Sequence, residues 1–160
     1  MVEIRSAEPR DVQALADLME DIDRFYGATD VESSSQRAPQ IAASLFQEPR
    51  AAYVLLAWEG EQLVGMAAYS FLWPAAGVTR SLYLKELYVI ESFRRKGVGK
   101  LLILALCQVA VKHECSRIEW TADTGNVLAK AFYEQLGVPQ NREKTFYRLE
   151  GNDVRWMLVD

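Results

Sequence analysis

The chain is poor in the residues from which several kinds of protein are built. It holds two cysteines, Cys107 and Cys115, and a single histidine, His113. One cysteine lies inside a helical pattern and the other just past its end, which fits neither a CxxC metal site nor a disulfide framework and suits reduced thiols. The histidine follows Lys112 at the end of the same pattern, where a cation is favourable and solvent near, so it reads as a helix-end residue rather than a base. Positive charge is not in excess. Lys and Arg number 18 against 22 Asp and Glu, giving a net charge of −4 and a pI near 5.1. That balance offers no general attraction to nucleic acid or an anionic membrane, so any basic site must be local. Long apolar runs are missing too: the longest, Val98 to Val111, is interrupted by Lys100 and Gln108. The opening MVEIRSAEPRD has neither the basic start nor the apolar core of a secretory signal. The expectation is a cytoplasmic protein with no membrane, nucleic-acid or metal partner.

What is present is a 50% hydrophobic composition over 160 residues, enough for one sizeable core and cramped for two. A single domain over residues 1–160 is expected. Val2, Ile4 and Ser6 alternate with charged neighbours as in a short strand. Pro9-Arg10-Asp11 then opens a helix carrying Val12, Leu15, Leu18, Met19 and Ile22 at helical spacing, ending near Gly27. Residues 28–39 are polar and read as a mobile loop, and 40–47 as a short helix. Strands follow at 51–58 and 63–73, joined by a tight turn at Gly60, and at 81–90. A helix over 98–113, a strand over 117–121, a helix from Gly125 or Asn126 to Leu136, and final strands over 144–150 and 154–159 complete the reading. The order β, α, α, β, β, β, α, β, α, β, β predicts an α/β (α+β) fold. Its sheet is mixed and mostly antiparallel, with about six to seven strands and about four flanking helices.

The most informative stretch is ESFRRKGVGKLL, residues 91 to 102, where three basic residues run into Gly97-Val98-Gly99 at the start of an apolar helix. A P-loop is excluded because no glycine lies five residues before Gly99 and Lys100 is followed by Leu101. A dinucleotide fingerprint is excluded because Leu102 stands where its third glycine belongs. What remains is a first helical turn with unpaired N–H groups, a favourable dipole and glycines that admit a phosphate close to the backbone. Arg94, Arg95, Lys96 and Lys100 would add charge-assisted contacts. The same residues also suit an exposed basic loop whose glycines merely permit a turn.

Arg94-x-x-Gly97-x-Gly99 resembles the [Q/R]xxGx[G/A] signature of the GCN5-related N-acetyltransferases, which bind the pyrophosphate of acetyl-CoA in such a turn. LYLKELYVI, before it, is similar to the family's central strand, and NVLAKAFYEQLGV, residues 126 to 138, to its second conserved region. The resemblance covers essentially the whole chain. It implies the acyl-CoA N-acyltransferase fold and acetyl-CoA as cosubstrate, bound through Leu87, Tyr88 and Val89 along the pantetheine arm. Arg94, Arg95, Lys96, Gly97, Val98, Gly99 and Lys100 would then hold the pyrophosphate, and Asn126 would also touch the cofactor. It further implies Tyr133 as the acid for the departing thiolate; a phenol of pKa about 10 suits that donation. Residue chemistry alone also allows Tyr133 to be a packing aromatic of an amphipathic helix. Glu86, in the central strand, is the best carboxylate to take the amine's proton, directly or through water, and is alternatively an ordinary outward strand residue. A bulge beside it would splay the neighbouring strands. A backbone N–H near Leu87 would polarise the thioester carbonyl.

Within the family the nearest likeness is to the diamine and polyamine branch, which includes the spermidine/spermine and thialysine acetyltransferases. That branch tends to carry two adjacent acidic residues in the central strand, where this chain has Lys85 before Glu86. The implied activity is acetyl transfer to a primary amine of a small molecule, a diamine, polyamine or amino-acid-like compound, by direct attack in a ternary complex. An aminoglycoside-like antibiotic, a protein amine, or a silent acyl-CoA-binding module are the alternatives. A homodimer is the family's common state, with Phe146, Tyr147, Trp156 and Leu158 as candidate contacts. Asp21, Asp23, Asp30 and Glu32 would either steer a cation or form a solvated surface.

Overall fold

Branched and aromatic residues fill Tyr53 to Leu72, with one polar break at Gly60-Glu61, and this pattern folds as a hairpin. In the computed structural model, which describes residues 1–159, the hairpin is the middle of a sheet. The strands are β1 (Val2–Ser6), β2 (Tyr53–Glu59), β3 (Gln62–Leu72), β4 (Arg80–Val89) and β5 (Cys115–Glu119), lying side by side in that order. The first three pairings are antiparallel and the β4–β5 pairing is parallel. The mixed α/β class expected from the sequence holds, with five strands rather than six to seven among the described residues.

The described residues form two compact units, Met1–Thr121 and the remainder from Ala122. In the first, helices α1 (Val12–Phe25) and α2 (Ser34–Phe46) cover one face of the sheet through Leu15, Leu18, Ile22 and Leu45. Helix α3 (Val98–Lys112) covers the other through Val98, Leu102 and Leu106, against Leu82 and Leu84 of β4. Leu56, Leu82, Leu102 and Leu106 are fully buried, each a gain of about 1.5–3 kcal/mol over exposure. The start of α1 is fixed by Arg5, whose guanidinium grips both oxygens of buried Asp11 at 2.7 and 2.8 Å and lies over the Trp58 ring. The Glu8 backbone N–H donates to the same carboxylate at 2.7 Å. Hydrogen bonding from Arg5 holds the Asp11 carboxyl below its ordinary range, outweighing the cost of burial.

Helix α2 begins six residues earlier than the sequence reading placed it. Ser33 and Gln36 form a reciprocal capping box, with the Gln36 N–H donating to Ser33 Oγ and the Ser33 N–H to Gln36 Oε1. The box starts a helix that then runs through Pro39, so the expected loop over 28–39 ends at its own serine cluster. The second unit holds α4 (Val127–Gln135) and α5 (Asn152–Trp156). The two final strands expected there are not formed: residues 144–150 take no regular structure, and α5 occupies the start of the second. Alternating aromatic and polar residues suit a strand, but a strand needs a paired neighbour, and none bonds to these residues.

Candidate functional site

The pairing of β3 with β4 slips once. Ala68 faces Glu86 and Tyr69 faces Leu84, so Lys85 is an extra residue with no partner opposite. A strand alternates its side chains with period two, and one extra residue reverses that alternation. Before the slip Leu82 and Leu84 pack toward α3; after it Leu87 and Val89 do, while Tyr88 joins the core under α1 and α2. Glu86 therefore leaves the face of Leu82 and Leu84, where simple alternation would put it. It stands on the α1 face, where the Tyr26 hydroxyl donates to its Oε1 at 3.4 Å. Lys85 is exposed.

The same slip marks where the sheet opens. β5 pairs with β4 only along Arg80 to Tyr83. From Leu84 to Val89 the side of β4 turned away from β3 has no strand beside it among the described residues, and Leu87, Tyr88 and Val89 lie on this free edge. An unpaired strand edge offers N–H and C=O groups to any extended polyamide-like ligand. β3 presses close on the other side: Gly65 sits opposite Val89, and a Cβ there would lie 2.9 Å from the Tyr88 carbonyl oxygen.

The free edge runs into the basic turn. Gly97 caps α3 in the left-handed region at φ 84°, and Arg95, a residue with a side chain, is also held there at φ 60°. Such a conformation in a non-glycine residue costs on the order of 1–2 kcal/mol and marks functional turns. Alternating conformations of this kind turn successive N–H groups toward one point, an arrangement suited to an anion. Leu101 is the first helical residue whose N–H bonds back, to Gly97 O at 3.0 Å, so the N–H groups of Val98, Gly99 and Lys100 remain for a ligand. Val98 is buried in the core and anchors the turn, while Arg95, Lys96 and Lys100 are exposed.

Arg94 behaves differently from the other three cations. Its Nε donates to the Val89 carbonyl at 2.9 Å, and its guanidinium lies 4.5 Å over the Phe25 ring and 5.5 Å over that of Tyr88. It ties the end of β4 and the end of α1 to the turn from behind. Phe25 meets Tyr26 and Tyr88 edge-on, with centroids 5.2 and 5.7 Å apart. Burial raises the Tyr88 phenol, Asp21 and Glu91 push the same way, and Arg94 opposes them by charge and hydrogen bond. The α1 end of the site is thus aromatic, with acidic groups around it.

In the second unit Asn126 caps α4, its Oδ1 accepting the Ala129 N–H at 3.1 Å. Tyr133 lies on that helix, half-buried, with its ring 5.3 Å from that of Phe132. His113 closes α3 with its ring 4.9 Å from Phe71. Among the described residues no cluster of three or more His, Cys, Asp or Glu is placed to hold a metal ion, and no helix is long and apolar enough to cross a membrane. Sequence reasoning missed Phe25, Tyr26, Gly65 and the packing role of Arg94. An aromatic pair at the last turn of α1, just before Gly27, was the available signal for the first two.

A slipped central strand with a free edge, leading into a glycine turn at a helix start, defines the acyl-CoA-type N-acyltransferase fold. Residues 15–138 match the acetyltransferase (GNAT) family, and the chain belongs to it. It is similar to L-ornithine N5-acetyltransferase NATA1 of Arabidopsis thaliana, 38% identical over 52% of this chain and 36% of the relative. It is also similar to the thialysine N-epsilon-acetyltransferase of Mus musculus, 28% identical over 61% of this chain and 58% of that one. The matched part thus spans between about a third and three fifths of these relatives' own length. Among solved structures, an integron cassette protein from the mobile metagenome of V. cholerae superposes with a TM-score of 0.92 at 31% identity, covering 99% of this chain and 98% of that one.

Proposed function

We propose that the chain acts as one domain over residues 1–160, transferring the acetyl group of acetyl-CoA to a primary amine of a small aliphatic molecule in a ternary complex. The observation that carries this reading is the β4 slip, which sets Glu86 on the aromatic, acid-ringed α1 face beside a strand edge that leads to the basic turn. The cosubstrate supplies an activated acetyl thioester. Val98, Gly99 and Lys100 N–H groups, with Arg95, Lys96 and Lys100 side chains, hold the pyrophosphate, and the Leu87–Val89 backbone holds the pantetheine arm. A backbone N–H near Leu87 polarises the carbonyl.

Glu86 takes the proton from the ammonium, directly or through a water, so that the nitrogen can bond to the acetyl carbon as the C–S bond breaks. Tyr133, on the family resemblance, returns a proton to the thiolate, and Asn126 both caps α4 and contacts the cofactor. The relatives named for ornithine and thialysine act on amino acids with a terminal amine, and Asp21, Glu86 and Glu91 favour such a cationic acceptor here. A cytoplasmic homodimer, joined through Phe146, Tyr147, Trp156 and Leu158, completes the proposal; gel filtration at two concentrations tests the assembly.

The deciding assay is coenzyme A release over diamines, polyamines, ornithine and lysine analogues, aminoglycosides and peptides, with wild type and Glu86→Gln. Turnover is expected to be fastest with short aliphatic amines and at least tenfold lower in the variant. Tight acetyl-CoA binding with no release across the panel would leave a silent binding module instead.

A further inference from the structure

Along β3, directly past the slip, lies a cavity of about 120 Å³ whose lining includes none of the residues placed in the acetyl-transfer site. Its walls include Leu45 and Phe46 from the end of α2, Arg50 from the following turn, Ser6 from the end of β1, and Tyr53 and Tyr69 from the paired ends of β2 and β3. The rim is held in place by backbone and side-chain bonds: Ala51 N–H to Ser44 O at 2.8 Å, Ser70 Oγ to Ala51 O at 2.8 Å, and Ala7 N–H to Val54 O at 2.8 Å.

Tyr69 is the informative residue. It is 6% exposed, it lines the cavity, and no hydrogen-bond partner for its hydroxyl stands among the described residues. Burial first, and Tyr53 second, push its phenol up, with no hydrogen bond to offset them, so it stays a proton donor. The hydroxyl oxygen is not sealed from solvent, so it is free to donate to a ligand or a water in the cavity. Arg50 supplies the charge. Its guanidinium is stacked over the rings of Tyr53 at 5.5 Å and Phe46 at 5.9 Å, and it pairs through Nε with the largely exposed Glu48 at 3.4 Å. The polar side chains of the wall are thus a guanidinium and hydroxyls, and the rest is apolar or aromatic.

We propose that this cavity is a binding site for a small carboxylate with a short apolar body, its carboxylate received by Tyr69 and Arg50 and its body by Leu45, Phe46 and the Tyr53 ring. The size sets the class: at roughly 30 Å³ per water, the space takes about four waters or a ligand of similar bulk, far below the usual range for nucleotides or drug-sized molecules. The site is separate from the acetyl-transfer reading and stands or falls without it.

The test is equilibrium binding to the full chain, followed by calorimetry or ligand-observed NMR, with butyrate, butyramide, n-butylamine and inorganic phosphate as probes. Butyrate should bind saturably, unaffected by excess coenzyme A, while the neutral amide, the amine and phosphate bind at least tenfold more weakly. Tyr69→Phe and Arg50→Gln should each weaken butyrate binding about tenfold, the loss of one hydrogen bond to a charged group. Arg50 is partly exposed, so its variant tests the site even where Tyr69→Phe lowers stability. Absence of saturable butyrate binding, equal binding of butyramide or phosphate, competition by coenzyme A, or unchanged affinity in Arg50→Gln would each overturn the assignment.

Discussion

Replacing Gly65 by alanine gives a prediction whose sign is set by geometry. Gly65 does not lie in the left-handed region, so alanine meets no backbone penalty there, and the reduced freedom of the unfolded chain would by itself stabilise by about 0.4–1 kcal/mol. The added Cβ, however, would stand 2.9 Å from the Tyr88 carbonyl oxygen, 3.4 Å from Val89 Cγ2 and 3.5 Å from Leu102 Cδ1. The nearest of these is backbone in a paired strand and cannot swing away as a side-chain tip can. Separating β3 from β4 by a few tenths of an ångström, in a core as dense as a crystal, costs about 1–3 kcal/mol. The net expectation is destabilisation by roughly 1–2 kcal/mol, a fall in Tm of about 2–8 °C for a chain of this length. Because Tyr88 and Val89 end the free edge of β4, the KM for acetyl-CoA should rise several-fold as well. Thermal unfolding and steady-state kinetics read both. A Tm equal to or above wild type would refute the close-approach argument, since the unfolded-state term would then have won.

Tyr133→Phe should lower kcat by on the order of a hundredfold while acetyl-CoA affinity stays within about twofold; equal turnover would remove Tyr133 from the mechanism. Arg94→Lys should behave like Arg94→Ala, each raising the KM for acetyl-CoA, because a lysine keeps the charge but not the planar group that spans Phe25, Tyr88 and the Val89 carbonyl. Full rescue by lysine would mean that charge alone is needed. Asp11→Asn should destabilise by about 3 kcal/mol at pH 7, because Arg5 loses its paired carboxylate. The folded carboxyl titrates below its unfolded value, so its contribution is complete above about pH 4 and is lost as pH falls through the folded value. The stability gap to wild type should narrow on acidification, and a constant gap from pH 7 to pH 3 would contradict the ion-pair origin.

The basic turn before α3 was legible because its pattern is local in sequence. A helix start, two glycines and neighbouring cations are read from one short stretch, and the turn forms where they stand. The three central strands and α3 were legible for a similar reason, since each carries a long apolar pattern within one stretch of sequence. The surroundings of Glu86 depend on chain separation: Tyr26 meets it across 60 positions, and no local pattern announces the contact. The slip itself left a trace, because Leu84 and Leu87 are three apart in a strand whose apolar residues otherwise step by two. The C-terminal strands were misread because strand propensity describes a side chain's fit to a sheet and says nothing of whether a neighbouring strand is there. The early start of α2 was misread because the polar character of residues 28–39 reads as a loop, while the Ser33–Gln36 box within it starts the helix.

The unpartnered Lys85 divides β4 into two stretches with opposite handing of their side chains. The stretch before it answers to the packing of α3, and Glu86 after it to the α1 face, where it meets Tyr26. One inserted codon is the smallest genetic change able to create that division, and one deletion the smallest able to erase it. A substitution at Glu86 therefore leaves the leucines two and four places earlier undisturbed, so the side chain on the α1 face can vary on an unchanged core.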